Sequence, residues 1–181
     1  MDKIEYKMKK IAFIANSCWY IYNFRLSLLK EISSIDNQII IIAPKDNYTK
    51  ILRDLGYEVY SWKLHRSSLN PFKEIQSVFN LIDILERVSP DLIHNFTIKS
   101  CLYGTIAAKF RRISIVVNSI TGLGHLFINN SFKIRSIRFF LKPIYKFVFN
   151  AINSYTIFQN YNDQKFFLEY SIINNLKKSF L

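Results

Sequence analysis

The chain is organised by one alternation: six short apolar runs, each followed by a segment with helical spacing or helix-ending signals. The runs are KIAFIAN (Lys10 to Asn16), QIIIIAP (Gln38 to Pro44), YEVYSWKL, DLIHNF, ISIVVNSI and SYTIFQ. They are continuous in apolar residues rather than striped with period two. A strand of that kind is buried on both faces, as in a parallel sheet covered by helices on both sides. The intervening segments fit those helices. NFRLSLLKEISSI repeats Phe24, Leu28 and Ile32 at helical spacing, with Asn23 placed to cap it. NYTKILRDLG is stopped by Gly56, and Phe72 to Val88 follows Pro71. TIKSCLYGTIAAKF opens at Thr97, SFKIRSIRFFLKPIYKFVFNAI is long and basic, and NYNDQKFFLEYSI is the last.

Six β–α repeats predict an α/β fold: a Rossmann-like, doubly wound parallel sheet, with the common strand order 3-2-1-4-5-6. Residues 10–175 form the expected domain, after a short tail over 1–9 and before a segment over 176–181. Half of the 181 residues are hydrophobic, enough for a real core. Cys18 and Cys101 lack CxxC spacing, so both read as buried, reduced thiols rather than a disulfide or a zinc site. The run Ile11 to Ala15 is shorter than the ~7–15 residues of a signal-peptide core, and no stretch reaches the ~18 apolar residues of a membrane span. A cytoplasmic protein is expected.

In such a sheet, ligands bind at the carboxyl ends of the strands, where the strand order reverses. The loops after Asn16 and Phe96 should face each other there, with the loop after Ile120 beside them. Arg25 and Lys99 are placed in the first turns of the helices after strands one and four. A cation in that position opposes the helix dipole by ~0.3–1 kcal/mol. Either the two converge on a bound anion, or each reaches out into solvent. His94 and Asn95 end the fourth strand, and His94 is either a satisfied core residue or a ligand for a sugar hydroxyl or phosphate. Thr97 is either a helix cap or part of the same site.

The stretch NSITGLGHLF holds two of the four glycines, Gly122 and Gly124. It is no dinucleotide fingerprint: it follows the fifth strand rather than the first, and Phe127 stands where a third glycine belongs. Its glycines allow either a close ligand or a turn with positive φ.

The net charge of +12 is uneven. Residues 92–162 carry nine Lys or Arg and no Asp or Glu, a field that favours an anionic partner. Lys133, Arg135, Arg138, Lys142 and Lys146 interleave with apolar residues such as Phe139, and Pro143 should kink or break their helix. The segment reads either as an interfacial helix on an anionic membrane surface or as an ordinary helix with a solvated basic face. No recognised nucleic-acid motif is present, so no nucleic acid is expected as partner, and a non-catalytic basic module that binds a membrane or nucleic acid stays as the alternative reading.

Taken in order, IANSCWYIYNFRLSLLK, IIAPKDNYTKILRDLGYEV, RSSLNP, DLIHNFTIKSCLYGTIAA, NSITGLGHLF and TIFQNYNDQKFF resemble the N-terminal domain of bacterial family 4 glycosyltransferases. The branch they are most similar to builds O-antigen, capsule or glycan repeat units on a polyprenyl-diphosphate lipid. HNFTIK and ITGLG are the specific parts, and the match runs from about Lys9 to about Asn175. The resemblance implies two Rossmann-like domains facing across a cleft, with retaining hexosyl transfer, no metal and no cofactor. The first domain would hold mainly a lipid-linked glycan acceptor. The nucleotide-sugar donor would be held mainly by a C-terminal domain with a Glu-x7-Glu motif, which this sequence lacks, so a truncated or separately encoded half, inactive alone, is expected. The location implied is peripheral, on the inner face of the plasma membrane. Asn16, Arg25, His94, Thr97, Lys99, Thr121, Gly122 and Gly124 stand where the family motifs stand. His94 is the catalytic candidate, and the others make the substrate-binding set together with Asn95. Many members of the wider family carry a His just after the fifth strand. Ile120 and Thr121 occupy that place here, as in the lipid-acceptor branch.

Overall fold

The computed structural model describes residues 8–66, 68, 70–122, 142–151, 154–174 and 179–181. Seven strands form one sheet: β1 (Lys10–Ile14), β2 (Gln38–Ala43), β3 (Glu58–Ser61), β4 (Leu92–Phe96), β5 (Ile115–Ile120), β6 (Ser154–Phe158) and β7 (Ser179–Phe180). Their order is β3-β2-β1-β4-β5-β6-β7, and every pair is parallel. The helices are α1 (Cys18–Ser33), α2 (Tyr48–Asp54), α3 (Pro71–Val88), α4 (Ile98–Phe110), α5 (residues 142–149) and α6 (Tyr161–Glu169). The doubly wound fold expected from the alternation is therefore present. One strand lies beyond the six expected: Ser179 and Phe180, set outside the domain by the sequence reading, pair with Thr156 and Ile157 of β6.

The continuous apolar runs have a simple cause. Along β2, Ile39 and Ile41 pack with Phe13, Phe96, Ile21, Leu29 and Leu52 under α1 and α2. The alternate residues Ile40 and Ile42 pack with Ile14, Ile93, Leu81, Leu85 and Ala107 under α3 and α4. Both faces are covered, so neither set can be polar, and each fully buried Ile contributes ~1.5–3 kcal/mol. Cys18 and Cys101 are free thiols, both buried, one on each face.

Local signals set most boundaries. Asn70 caps α3 by accepting from the Phe72 amide at 3.0 Å, with Pro71 in the first turn. Asn160 caps α6 through the Asp163 amide at 2.8 Å. Gly56, at φ 91°, closes α2.

The start of α1 corrects the sequence reading. Ser17, not Asn23, is the cap, accepting from the Tyr20 amide at 3.1 Å. Asn23 lies inside the helix and donates to the Trp19 carbonyl. The WYIY stretch is helical because Cys18 and Ile21 reach the buried face together with Leu29. Arg25 is consequently well past the first turn, and the dipole argument no longer applies to it.

Helices α1 and α2 cover one face, and α3 and α4 cover the other. The chain therefore leaves β1 and β4, which are neighbours, toward opposite faces. A reversal of this kind is where doubly wound sheets have their ligand crevice, between the carboxyl ends of the two strands, and β5 lies beside it.

Candidate functional site

His94 anchors this edge. It faces the α1 side of β4, next to Phe13 of β1, and its ring stacks on Phe96 at 4.2 Å between centroids. Its Nε2 lies 2.8 Å from Ser119 Oγ. The parallel register that pairs Phe96 with Ser119 puts the hydroxyl there. Burial pushes the imidazole pKa down to about 3, and the Arg25 guanidinium adds to the shift. His94 is therefore neutral throughout the physiological range. That suits it to hydrogen bonding with a hydroxyl, not to shuttling a proton.

Arg25 reaches the same place from α1. Its guanidinium carbon lies 4.9 Å from the centre of the Phe96 ring and 5.3 Å from that of Tyr20. One terminal nitrogen donates to Tyr20 Oη at 2.6 Å, the other to the Phe24 carbonyl at 3.3 Å. Nε is buried without a partner.

Lys99 behaves differently. It does lie in the first turn of α4, as expected, but its ammonium is already engaged. It pairs with Glu74 at 2.8 Å and donates to the carbonyls of His65 and Ser68. Tyr103 also donates to Glu74. Lys99 thus fastens the β3–α3 loop to α3 and α4. The two cations do not converge as a pair of free charges.

Asn95 is a second correction. Successive strand residues face opposite sides, so Asn95 points away from His94 and is completely buried under Gly104 of α4. Its Nδ2 donates to Asn118 Oδ1 at 2.9 Å, and Asn118 in turn donates to Ser154 Oγ and bonds Thr105. This polar seam ties β4, β5, β6 and α4 together, out of reach of a substrate in the crevice.

Thr97 holds the cap position of α4 without capping it. Its backbone lies at φ 74° and ψ 151°, a conformation favoured by glycine. Its amide donates to the Ser119 carbonyl at 3.3 Å, which binds the strained turn to the neighbouring strand. Asn16 is partly exposed after β1 and accepts weakly from Ser17. Thr121 and Gly122 are partly exposed after β5. Gly122 needs its freedom for φ 127°, since a Cβ there would meet open space.

Gly124, Lys133, Arg135, Arg138 and Phe139 lie outside the described residues. Lys142 and Lys146 are exposed on α5, with Ile144 and Phe147 also exposed, while Tyr145, Val148 and Phe149 pack into the core. Sequence reasoning missed Ser119, Tyr20, Phe96 and Glu74. Only Ser119 carried a signal, as a polar residue at a carboxyl strand end. A surface hollow lined by Ser33, Asn37, Tyr57 and Glu58 lies at the opposite, amino edge of the sheet. Among the described residues no three metal-ligating side chains cluster, and no helix is long and apolar enough to cross a membrane.

Comparison with known proteins gives this geometry a context. A relative from Campylobacter jejuni, N,N'-diacetylbacillosaminyl-diphospho-undecaprenol alpha-1,3-N-acetylgalactosaminyltransferase, is 32% identical over 157 residues. That alignment covers 87% of this chain and 42% of the relative. Among solved structures, a glycosyltransferase from Rickettsia africae superposes with a TM-score of 0.66 at 15% identity, over 96% of this chain and 42% of that one. A UDP-N-acetylglucosamine 2-epimerase from Rickettsia bellii superposes with a TM-score of 0.65 at 14% identity, over 96% and 44%. A transferase and an epimerase fit equally well, so the superpositions show the fold and leave the family to the sequence. The family model for glycosyl transferase 4-like proteins matches residues 10–160, from the first strand through Asn160, the cap of α6, and the chain belongs to that family.

Proposed function

We propose that this chain forms the acceptor side of a glycosyltransferase that moves a hexosyl unit from a nucleotide sugar to a glycan carried on polyprenyl diphosphate. The observation that carries the reading is the 32% identity to the Campylobacter jejuni enzyme, whose name specifies a diphospho-undecaprenol-linked acceptor. The chain spans 42% of that enzyme's length, and in this reading it supplies one side of a two-domain cleft. In this reading the nucleotide sugar is held chiefly by a second domain, and transfer is retaining and needs no metal. Neutral His94 and Ser119, with Asn16 and Thr121 nearby, supply hydrogen bonds to sugar hydroxyls at the carboxyl edge. Gly122 lets the acceptor approach the β5 loop.

The reading includes a peripheral site of action on the inner face of the plasma membrane. Exposed Lys142, Lys146, Ile144 and Phe147 on α5 favour it, because cations beside apolar side chains suit an anionic headgroup layer. Equilibrium binding tests the core of the proposal. The chain should bind a short-chain polyprenyl-diphosphate-linked sugar and bind nucleotide sugars weakly. Tight nucleotide-sugar binding with no acceptor binding would overturn it. Flotation with phosphatidylglycerol vesicles should recover the chain at low salt and lose it as salt rises.

A further inference from the structure

The sequence pointed to two cations at the crevice, and the structure separates them. Lys99 is neutralised by Glu74 and saturated by two carbonyls. Arg25 has no such partner. The ion pairs among the described residues are Lys99–Glu74, Arg111–Glu86 and Lys165–Glu169, and Arg25 belongs to none.

A partly buried guanidinium without a carboxylate is costly unless something else compensates it. Here two neutral aromatic groups hold it in place. The Tyr20 hydroxyl accepts one N–H, and the Phe96 face lies under the plane of positive charge. The Phe24 carbonyl accepts a second N–H. Of the five N–H donors a guanidinium carries, three remain, and the Nε donor is buried with no partner. The fork is rigid, charged and only part-satisfied. It lies over the last residue of β4, at the reversal of strand order, beside a histidine that adds no charge of its own.

We propose that Arg25 is an anion receptor at the crevice and that its ligand is a diphosphate, bound through the remaining terminal N–H donors of the guanidinium. A planar fork matches two phosphate oxygens at once, which a Lys at this position would not. The inference rests on the acceptor-side reading, because it makes the acceptor's diphosphate the natural ligand. A nucleotide diphosphate offers the same chemistry, and the experiment separates the two sources.

Isothermal titration with inorganic pyrophosphate, uridine diphosphate and farnesyl diphosphate tests the site, on the intact chain and on Arg25→Gln, Arg25→Lys and Tyr20→Phe. The wild type should bind pyrophosphate, with affinity falling as salt rises. Arg25→Gln should lose at least tenfold, Arg25→Lys less, and Tyr20→Phe a few-fold, since its hydroxyl only orients the fork. Unfolding midpoints confirm that each variant folds, and Tyr20→Phe keeps the test valid if Arg25→Gln does not. Equal pyrophosphate affinity in wild type and Arg25→Gln overturns the receptor. Farnesyl diphosphate bound more tightly than uridine diphosphate, but equally by both proteins, sinks the Arg25 site and leaves the acceptor reading standing. An Arg25-dependent preference for uridine diphosphate keeps the receptor and removes the lipid-linked acceptor as its ligand.

Discussion

The Lys99 ammonium lies 2.8 Å from the Glu74 carboxylate, and the same nitrogen donates to the carbonyls of His65 and Ser68. One side chain at the start of α4 therefore ties α3 and the β3–α3 loop to the carboxyl edge of β4. Both partners of the pair are about one-fifth exposed, so solvent screens it only in part.

The pair should respond asymmetrically to substitution. Lys99→Met leaves Glu74 charged beside Tyr103 and should cost ~1–3 kcal/mol, below the range for a fully buried pair. Glu74→Gln leaves Lys99 its two carbonyls and should cost ~1 kcal/mol. Urea unfolding measures both. Hydrogen exchange of residues 65–68 should speed up in Lys99→Met. Equal losses in the two variants would contradict the clamp.

Gly104 should not tolerate a methyl group. A Cβ there would overlap the side-chain amide of Asn95, which is buried and held by Asn118. Alanine gains ~1 kcal/mol of helix propensity, but overpacking costs ~1–3 kcal/mol and cannot relax against a tethered side chain. Gly104→Ala should therefore lower the unfolding midpoint. In an Asn95→Ala background the same change should cost less or stabilise, and simple additivity would refute the contact.

His94 should make stability depend on pH. Its folded pKa of about 3 lies below the ordinary 6.5, so folding favours the neutral ring. The contribution is complete above pH 6.5 and is lost as pH falls toward 3, with a slope of up to ~1.4 kcal/mol per unit. His94→Gln should flatten the stability profile between pH 6.5 and 4 relative to wild type. In the Arg25→Gln variant, NMR titration should find the His94 pKa higher than in wild type, though still below 6.5, because burial is the larger cause. Parallel stability profiles would show that the ring is not sequestered.

Thr97 stores backbone strain at the mouth of the crevice. Glycine accepts φ 74° freely, whereas a side chain there costs of order 1–3 kcal/mol. Thr97→Gly should raise stability by ~1 kcal/mol after its own entropic cost. Thr97→Ala keeps the Cβ and should bring no such gain. Unfolding curves that rank the alanine variant above the glycine one would dispose of the strain.

The architecture is legible in the sequence for reasons visible in single residues. Ile39 to Ile42 leave no polar position on either face, so β2 has to be covered twice. Boundaries with a side-chain signal, such as Asn70 with Pro71, fall where that signal puts them. The start of α1 does not, because WYIY is helical through the burial of Cys18 and Ile21 rather than by pattern. Ser179 and Phe180 are too short a run to announce a strand.

The candidate site divides along the same line. Sequence alone determined that His94, Asn95, Thr97 and Lys99 lie near strand ends, because position along the chain dictates which edge of a parallel sheet a residue reaches, whereas Arg25 reaches that edge from the middle of α1. Tertiary structure decided what each can do there. Asn95 and His94 are adjacent, yet α4 covers the first while Ser119 and Arg25 meet the second. Arg25 and Lys99 carry the same charge, yet Glu74 comes from a different helix to neutralise only one of them. Charge and residue type are local properties, whereas burial and counter-ions are supplied by segments distant in sequence, and these decide which cation remains free to bind.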